Sequence, residues 1–176
     1  QHPTGLIAVR HTTLDEAVSQ LTVGAFFFAM RSCEYSKVST SEERRTKLLT
    51  IKNIRFFHNH RELRHDDPNL HLADSVSITF EFQKNDERDV TITMHRTGDA
   101  DLCPVLAWSR IVRRVRRIPG TSDDSPVCTY QKANGTVGLV TSKQILQRIR
   151  DRVAAIGRDV LGFGPEDVGT HSIRSA

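Results

Sequence analysis

Two runs of strictly alternating residues constrain this chain more than any other feature. Val76, Ile78, Phe80 and Phe82 are apolar with polar residues between them, and Val90, Ile92 and Met94 repeat the pattern. A period of two places all the apolar side chains of a run on one face of a strand. The residues that separate the runs, Lys84, Asn85, Asp86 and Glu87, are turn formers, so the pair is predicted to be a β-hairpin with Lys84 at its tip.

Elsewhere the periodicity is helical. Thr13 and Glu16 have the spacing of a capping box, and the helix they open should run through Val18, Leu21 and the apolar residues 25–30. That run is apolar on every side, which predicts burial. Arg31, Ser32, Cys33 and Glu34 follow directly, and charges so close behind a buried helix need partners or an open cleft. After Pro104, one stripe reads Val105, Trp108, Ile111, Val112 and Val115, and the opposite one Arg110, Arg113, Arg114 and Arg117; Pro119 and Gly120 end the helix. Thr141 and Gln144 form a second capping box. The helix behind it should use Ile145, Ile149, Val153, Ile156 and Val160 as its apolar stripe and stop at Gly162. Residues 47–57 read as a strand, and residues 57–73 as an exposed loop or insertion. That loop carries His58, His60, His65 and His71, and with no cysteine near them they read as polar loop residues rather than a zinc site. Thr170 is placed to cap one more helix.

The chain has 176 residues, enough for one domain with a real core, so residues 1–176 are taken as a single unit. It begins with Gln and stops at Arg174, Ser175 and Ala176 without a terminating signal, which suggests a piece of a longer protein. No apolar run approaches the roughly 20 residues a membrane span needs. Cys33, Cys103 and Cys128 are sparse and odd in number, the pattern of reduced thiols in an intracellular protein. The formal charge is +4 and its distribution matters more: the arginine stripe beside Trp108 and the stretch containing Lys143, Arg148, Arg150 and Arg152 are basic footprints of the kind that nucleic acid binds.

Four features stand in order: Arg31 and Glu34 after an apolar helix, Lys84 in a hairpin turn, a capped amphipathic helix, and His171 and Arg174 spaced as His-x-x-Arg. In this the chain resembles the catalytic domains of the tyrosine recombinase and phage integrase family from about residue 25 onward. The likeness is strongest in Gly169, Thr170, His171, Ser172, Ile173 and Arg174 and in the hairpin, and residues 25–34 look similar to eukaryotic mobile-element recombinases. The resemblance implies an α+β fold, mainly helical, of the DNA breaking-rejoining type with a small antiparallel sheet of about three strands. It implies site-specific recombination or integration of double-stranded DNA, self-association on DNA in the full-length protein, no cofactor, no metal, no membrane, and residence in the nucleus if the host is eukaryotic.

The roles implied are residue by residue. Arg31 and Arg174 clamp a phosphodiester, Lys84 protonates the departing oxygen, His171 assists as acid or base, and Glu34 supports the site. Arg110, Arg113, Arg114, Arg117, Lys143 and Arg148 grip the DNA backbone. The family's nucleophilic tyrosine would fall beyond Ala176; Tyr35 and Tyr130 both precede the His-x-x-Arg, so the chain alone should not cleave DNA. The gap from Arg31 to Lys84 is longer than the family's, which keeps Lys47 and Lys52 open as the catalytic lysine. A non-catalytic DNA-binding remnant and a related tyrosine-using topoisomerase are the alternative readings.

Overall fold

The computed structural model describes residues 14–38, 46–82, 87–169 and 172. Its centre is the hairpin that the alternation requires. β3 (Ser75–Phe82) and β4 (Arg88–His95) pair antiparallel, with Ile78 opposite Ile92 and Val76 opposite Met94; the turn with Lys84 lies outside the described residues. Two more strands, β1 (Ile54–His58) and β2 (Arg61–Leu63), extend the sheet to the order β2-β1-β3-β4. The expected three-stranded sheet therefore has four strands. Residues 57–73 are no loop insertion: Asn59 and His60 take φ of +48° and +64°, the paired left-handed turn that joins two strands in two residues. Farther along, Leu70 and Ala73 are buried in the core. Asn-His lacks the glycine that usually marks such a turn, so the sequence hides it.

Helices pack on the sheet's apolar face. α1 (Leu14–Phe27) stops earlier than its apolar run suggests. The Ala29 N–H donates to Phe26 O and the Met30 N–H to Ala25 O, both at 3.1 Å, with Ala29 at φ +47°. This is a Schellman ending built on alanine instead of glycine. It turns Phe28 and Met30 inward and leaves Phe26 at 46% exposure, so the run is not buried on every side. The short α2 (Ser32–Tyr35) follows. α3 (Pro104–Arg116) buries Val105, Trp108, Ile111, Val112 and Val115 completely, the stripe read from the sequence. A second, small sheet pairs β5 (Thr129–Gln131) with β6 (Val137–Leu139). α4 (Ser142–Ile156) opens on the predicted capping box, with the Gln144 N–H donating to Thr141 Oγ1 (3.3 Å). It ends at Gly157, φ +93°, rather than at Gly162, which caps the separate one-turn α5 (Arg158–Leu161). Val160 therefore leaves the apolar stripe and is 76% exposed. The protein is α+β, with helices packed on a small antiparallel sheet, and among the described residues no helix is long and apolar enough to cross a membrane.

The contact between α1 and α3 is close enough to require glycine. The Trp108 indole N–H donates to Gly24 O (3.2 Å), and the ring meets Phe28 edge-on at 5.9 Å. A Cβ at Gly24 would stand 2.9 Å from Ile111 Cδ1 and 3.1 Å from Trp108 Cε2, both fully buried. Gly24→Ala is expected to destabilise by about 1–3 kcal/mol through overpacking, despite alanine's better helix propensity. A urea titration checks this; an unchanged or higher midpoint would mean the helices can separate without cost.

Candidate functional site

Arg31 stands at the turn between α1 and α2, and the carboxylate three residues on fixes it. The Arg31 backbone N–H donates to Glu34 Oε2 (2.7 Å), and its Nη1 donates to Glu34 Oε1 (3.3 Å). Glu34 is buried while the Arg31 side chain keeps 21% exposure, so the pair is anchored on its acidic side and open on its basic side. Glu34 thus orients Arg31 and caps the first turn of α2, and both tasks follow from the Arg-x-x-Glu spacing.

Backbone bonds tie this turn to the hairpin. The Leu49 N–H donates to Glu34 O (2.8 Å), and two residues earlier the Lys47 N–H donates to Phe82 O (3.2 Å), at the end of β3. The segment carrying Arg31 and the strand leading to Lys84 are therefore joined through residues 47–49. The two other candidate lysines have carboxylate partners. Lys47 Nζ pairs with Glu81, and Lys52 Nζ pairs with Asp124 at 2.8 Å and lies 3.9 Å from Glu81. Hydrogen bonds from Lys47 and Asn53 hold the Glu81 carboxyl below the usual range. Both lysines are thus engaged as charged partners of acids.

His171 and Arg174 lie outside the described residues, as does Lys84, but their frame does not. The Gly169 N–H donates to Ser172 Oγ (3.0 Å) and the Ser172 N–H to Gly169 O (3.1 Å), closing a turn. Arg150 fastens the chain just before it to α4, donating from Nε and Nη2 to Val168 O (3.1 and 3.0 Å). Ser172 also lines an open apolar cavity of about 640 Å³ with Val23 and Phe26 of α1, Ile149 and Val153 of α4, and Phe163. Ser172 and Val168 thus line the same cavity as the last turns of α1, the helix that Arg31 follows.

The basic residues divide. Arg110 is exposed on α3, Arg117 at its C-cap and Lys143 on the first turn of α4. Arg113 is half-buried and bridges α3 to residues 68–71, donating to Pro68 O and sitting 3.2 Å from His71 Nδ1. Arg148 pairs with Asp15 of α1. Arg114 is a correction: it is 2% exposed and cannot meet DNA. Its guanidinium donates to Val127 O (2.6 Å), Gln20 Oε1 (2.7 Å), Thr129 O (3.3 Å) and Ala17 O (3.4 Å), joining α1, α3 and β5. Burial lowers its pKa to about 10, which still leaves it charged at neutral pH. Burial likewise raises the neighbouring Cys128 thiol to about 11, so that thiol is neutral and supplies no countercharge. Gln20 carries the compensation instead, since its Nε2 donates to the surface carboxylate of Glu16 (2.9 Å).

Neither tyrosine can serve as a nucleophile here. Tyr35 is 1% exposed and its hydroxyl has no hydrogen-bond partner among the described residues. Burial, with Cys33 and Glu34 nearby, holds its pKa far above the usual phenol value. Tyr130 is 8% exposed in β5. Three of the histidines of residues 57–73 have partners in the fold: His58 Nδ1 lies 3.2 Å from Asp74, His65 Nε2 2.6 Å from Ile54 O, and His71 Nδ1 beside Arg113, while His60 is exposed. Among the described residues no group of three His, Cys, Asp or Glu side chains is placed to hold a metal ion. Comparison of the chain with protein-family models, with curated proteins and with solved structures finds no match.

Proposed function

We propose that the chain is the phosphate-gripping core of a tyrosine-recombinase-type catalytic domain with the DNA breaking-rejoining fold, acting in site-specific recombination or integration wherever its host keeps DNA, the nucleus in a eukaryote. The observation that carries the reading is Arg31. A guanidinium anchored by a buried carboxylate and open on its other face, on a turn tied by backbone bonds to the hairpin, is preorganised for an anion. Transfer of a phosphodiester to a hydroxyl adds negative charge to the non-bridging oxygens. Planar guanidiniums meet those oxygens with paired hydrogen bonds, an arrangement lysine cannot offer.

In this mechanism Arg31 and Arg174 hold one phosphate from two sides, and His171 ligates it and moves a proton. Lys84, carried on the hairpin turn, protonates the leaving 5′-oxygen. Arg110, Arg117 and Lys143 hold flanking phosphates. With both tyrosines buried, the attacking group comes from outside residues 1–176. The same burial favours one second reading, a DNA-binding module without strand cleavage, which keeps the basic surface and lacks the chemistry.

Binding is tested first by salt. A chain that neutralises four phosphates, one through Arg31 and Arg174 and three through Arg110, Arg117 and Lys143, should bind duplex DNA with log affinity falling against log salt at a slope of about −3.6. Fluorescence anisotropy over a salt series measures it, and a flat titration would remove DNA as the ligand.

A further inference from the structure

Arg150 stands apart from its neighbours on α4. Arg148 pairs with Asp15 of α1 and Arg152 is exposed, whereas Arg150 is half-buried and reaches 18 residues along the chain to Val168 O. Its Nε and Nη2 both donate to that one oxygen, at 3.1 and 3.0 Å. Those two N–H groups form an edge with which a guanidinium grips a phosphate. Arg150, which reads in the sequence as part of a basic footprint, spends that edge on the protein's own backbone.

The oxygen it holds belongs to a peptide group that is also held at its other end. The Gly169 N–H, in the same planar unit, donates to Ser172 Oγ (3.0 Å). The Val168–Gly169 peptide is thus pinned at its oxygen from α4 and at its N–H from the turn. Glycine is not required at 169 by the backbone: its φ is not positive, and among the described residues a Cβ there would meet nothing within 4 Å. What glycine brings is conformational freedom, at the point where the chain turns toward His171 and Arg174. The two pins remove it.

α4 also links the two halves of the candidate site. Arg148 ties it to α1, the helix that Arg31 follows, and Arg150 ties it to the peptide that leads into the turn. We infer that Arg150 is a positioning residue of the phosphate clamp, an inference that rests on the reading of the chain as a phosphate-gripping core. Arg150 touches no phosphate. It fixes the peptide plane from which the chain departs, and so sets the direction from which Arg174 approaches the phosphate held by Arg31. Ser172 does the same from the other end of that peptide.

One measurement needs no DNA. In the protein alone, Arg150→Met should speed hydrogen exchange at the Gly169 and Ser172 amides by about tenfold and leave the α4 amides as in the parent. With duplex DNA at fixed salt, the same variant should bind about fivefold more weakly than the parent. Once Arg174 is alanine, Arg150→Met should cost less than about twofold, because the charged group it delivers is gone. Ser172→Ala should show the same dependence on Arg174. The salt slope of Arg150→Met should equal the parent's, whereas losing a direct phosphate contact would make it shallower by about 0.9. A parent that does not bind duplex DNA would overturn the phosphate reading and this role with it. With a parent that binds, the role of Arg150 alone would be overturned by unchanged exchange at Gly169, by unchanged affinity, by an equal loss with and without Arg174, or by a shallower slope.

Discussion

Arg114→Ala is expected to lower the stability of the folded chain by about 3–5 kcal/mol, the largest effect of any single substitution in the arginine stripe. Two causes add. Truncation leaves a void where α1, α3 and β5 meet, and it strips the donors from Val127 O and Gln20 Oε1, which accept at 2.6 and 2.7 Å. A buried carbonyl left without a partner costs about 1–3 kcal/mol by itself. Arg114→Met separates the two, because it fills much of the volume and supplies no donors; it should cost about 1–3 kcal/mol. Urea unfolding of the three proteins measures both. For a chain of this size the alanine variant should also melt on the order of 10 °C lower. Equal stability of the alanine variant and the parent would mean that Arg114 is not held as described. The exposed Arg110 and Arg117, changed in the same way, should stay within about 0.5 kcal/mol of the parent.

The second large effect concerns the proposed anion site. Arg31→Ala should weaken duplex binding by about tenfold or more, as expected for losing a charge-assisted hydrogen bond to phosphate. Where the nucleophile is supplied by a longer chain, the same change should slow strand cleavage by about 10²–10³-fold. Glu34→Gln separates orientation from charge. It keeps a side chain able to accept from the Arg31 N–H but weakens the ion pair, so it should reduce affinity less than Arg31→Ala while leaving the fold intact. Arg31→Lys restores the charge without the planar fork and should rescue binding only in part. An Arg31→Ala variant that binds DNA as well as the parent would leave the turn as a helix-capping device and nothing more.

The hairpin, the apolar stripe of α3 and the Thr141 capping box were legible in the sequence because each is set by residues a few positions apart. What was not legible depends on distant partners. Arg114 sits among four other arginines and carries no local mark; it is buried because β5 and Gln20 of α1 close over it. Residues 57–73 look like an open polar loop because their histidines and acids are solvated on one side, while Leu70 and Ala73 reach the core on the other. The early end of α1 depends on Ala29 adopting a left-handed conformation that composition does not announce. The candidate site is legible only as an ordered set. The spacing of Arg31 and Glu34 foretells their contact, whereas the closeness of that turn to the end of β3 comes from residues 47–49, which carry no motif.

The account rests on Arg31 and Arg174 sharing one DNA phosphate, and a double-mutant cycle on duplex affinity measures that sharing directly. Arg31→Ala, Arg174→Ala and the double variant are titrated with DNA at one fixed salt concentration. Two arginines on one phosphate should couple, with the double variant departing from the sum of the singles by about 0.5–3 kcal/mol. Strict additivity would place the two guanidiniums on separate phosphates and contradict the clamp.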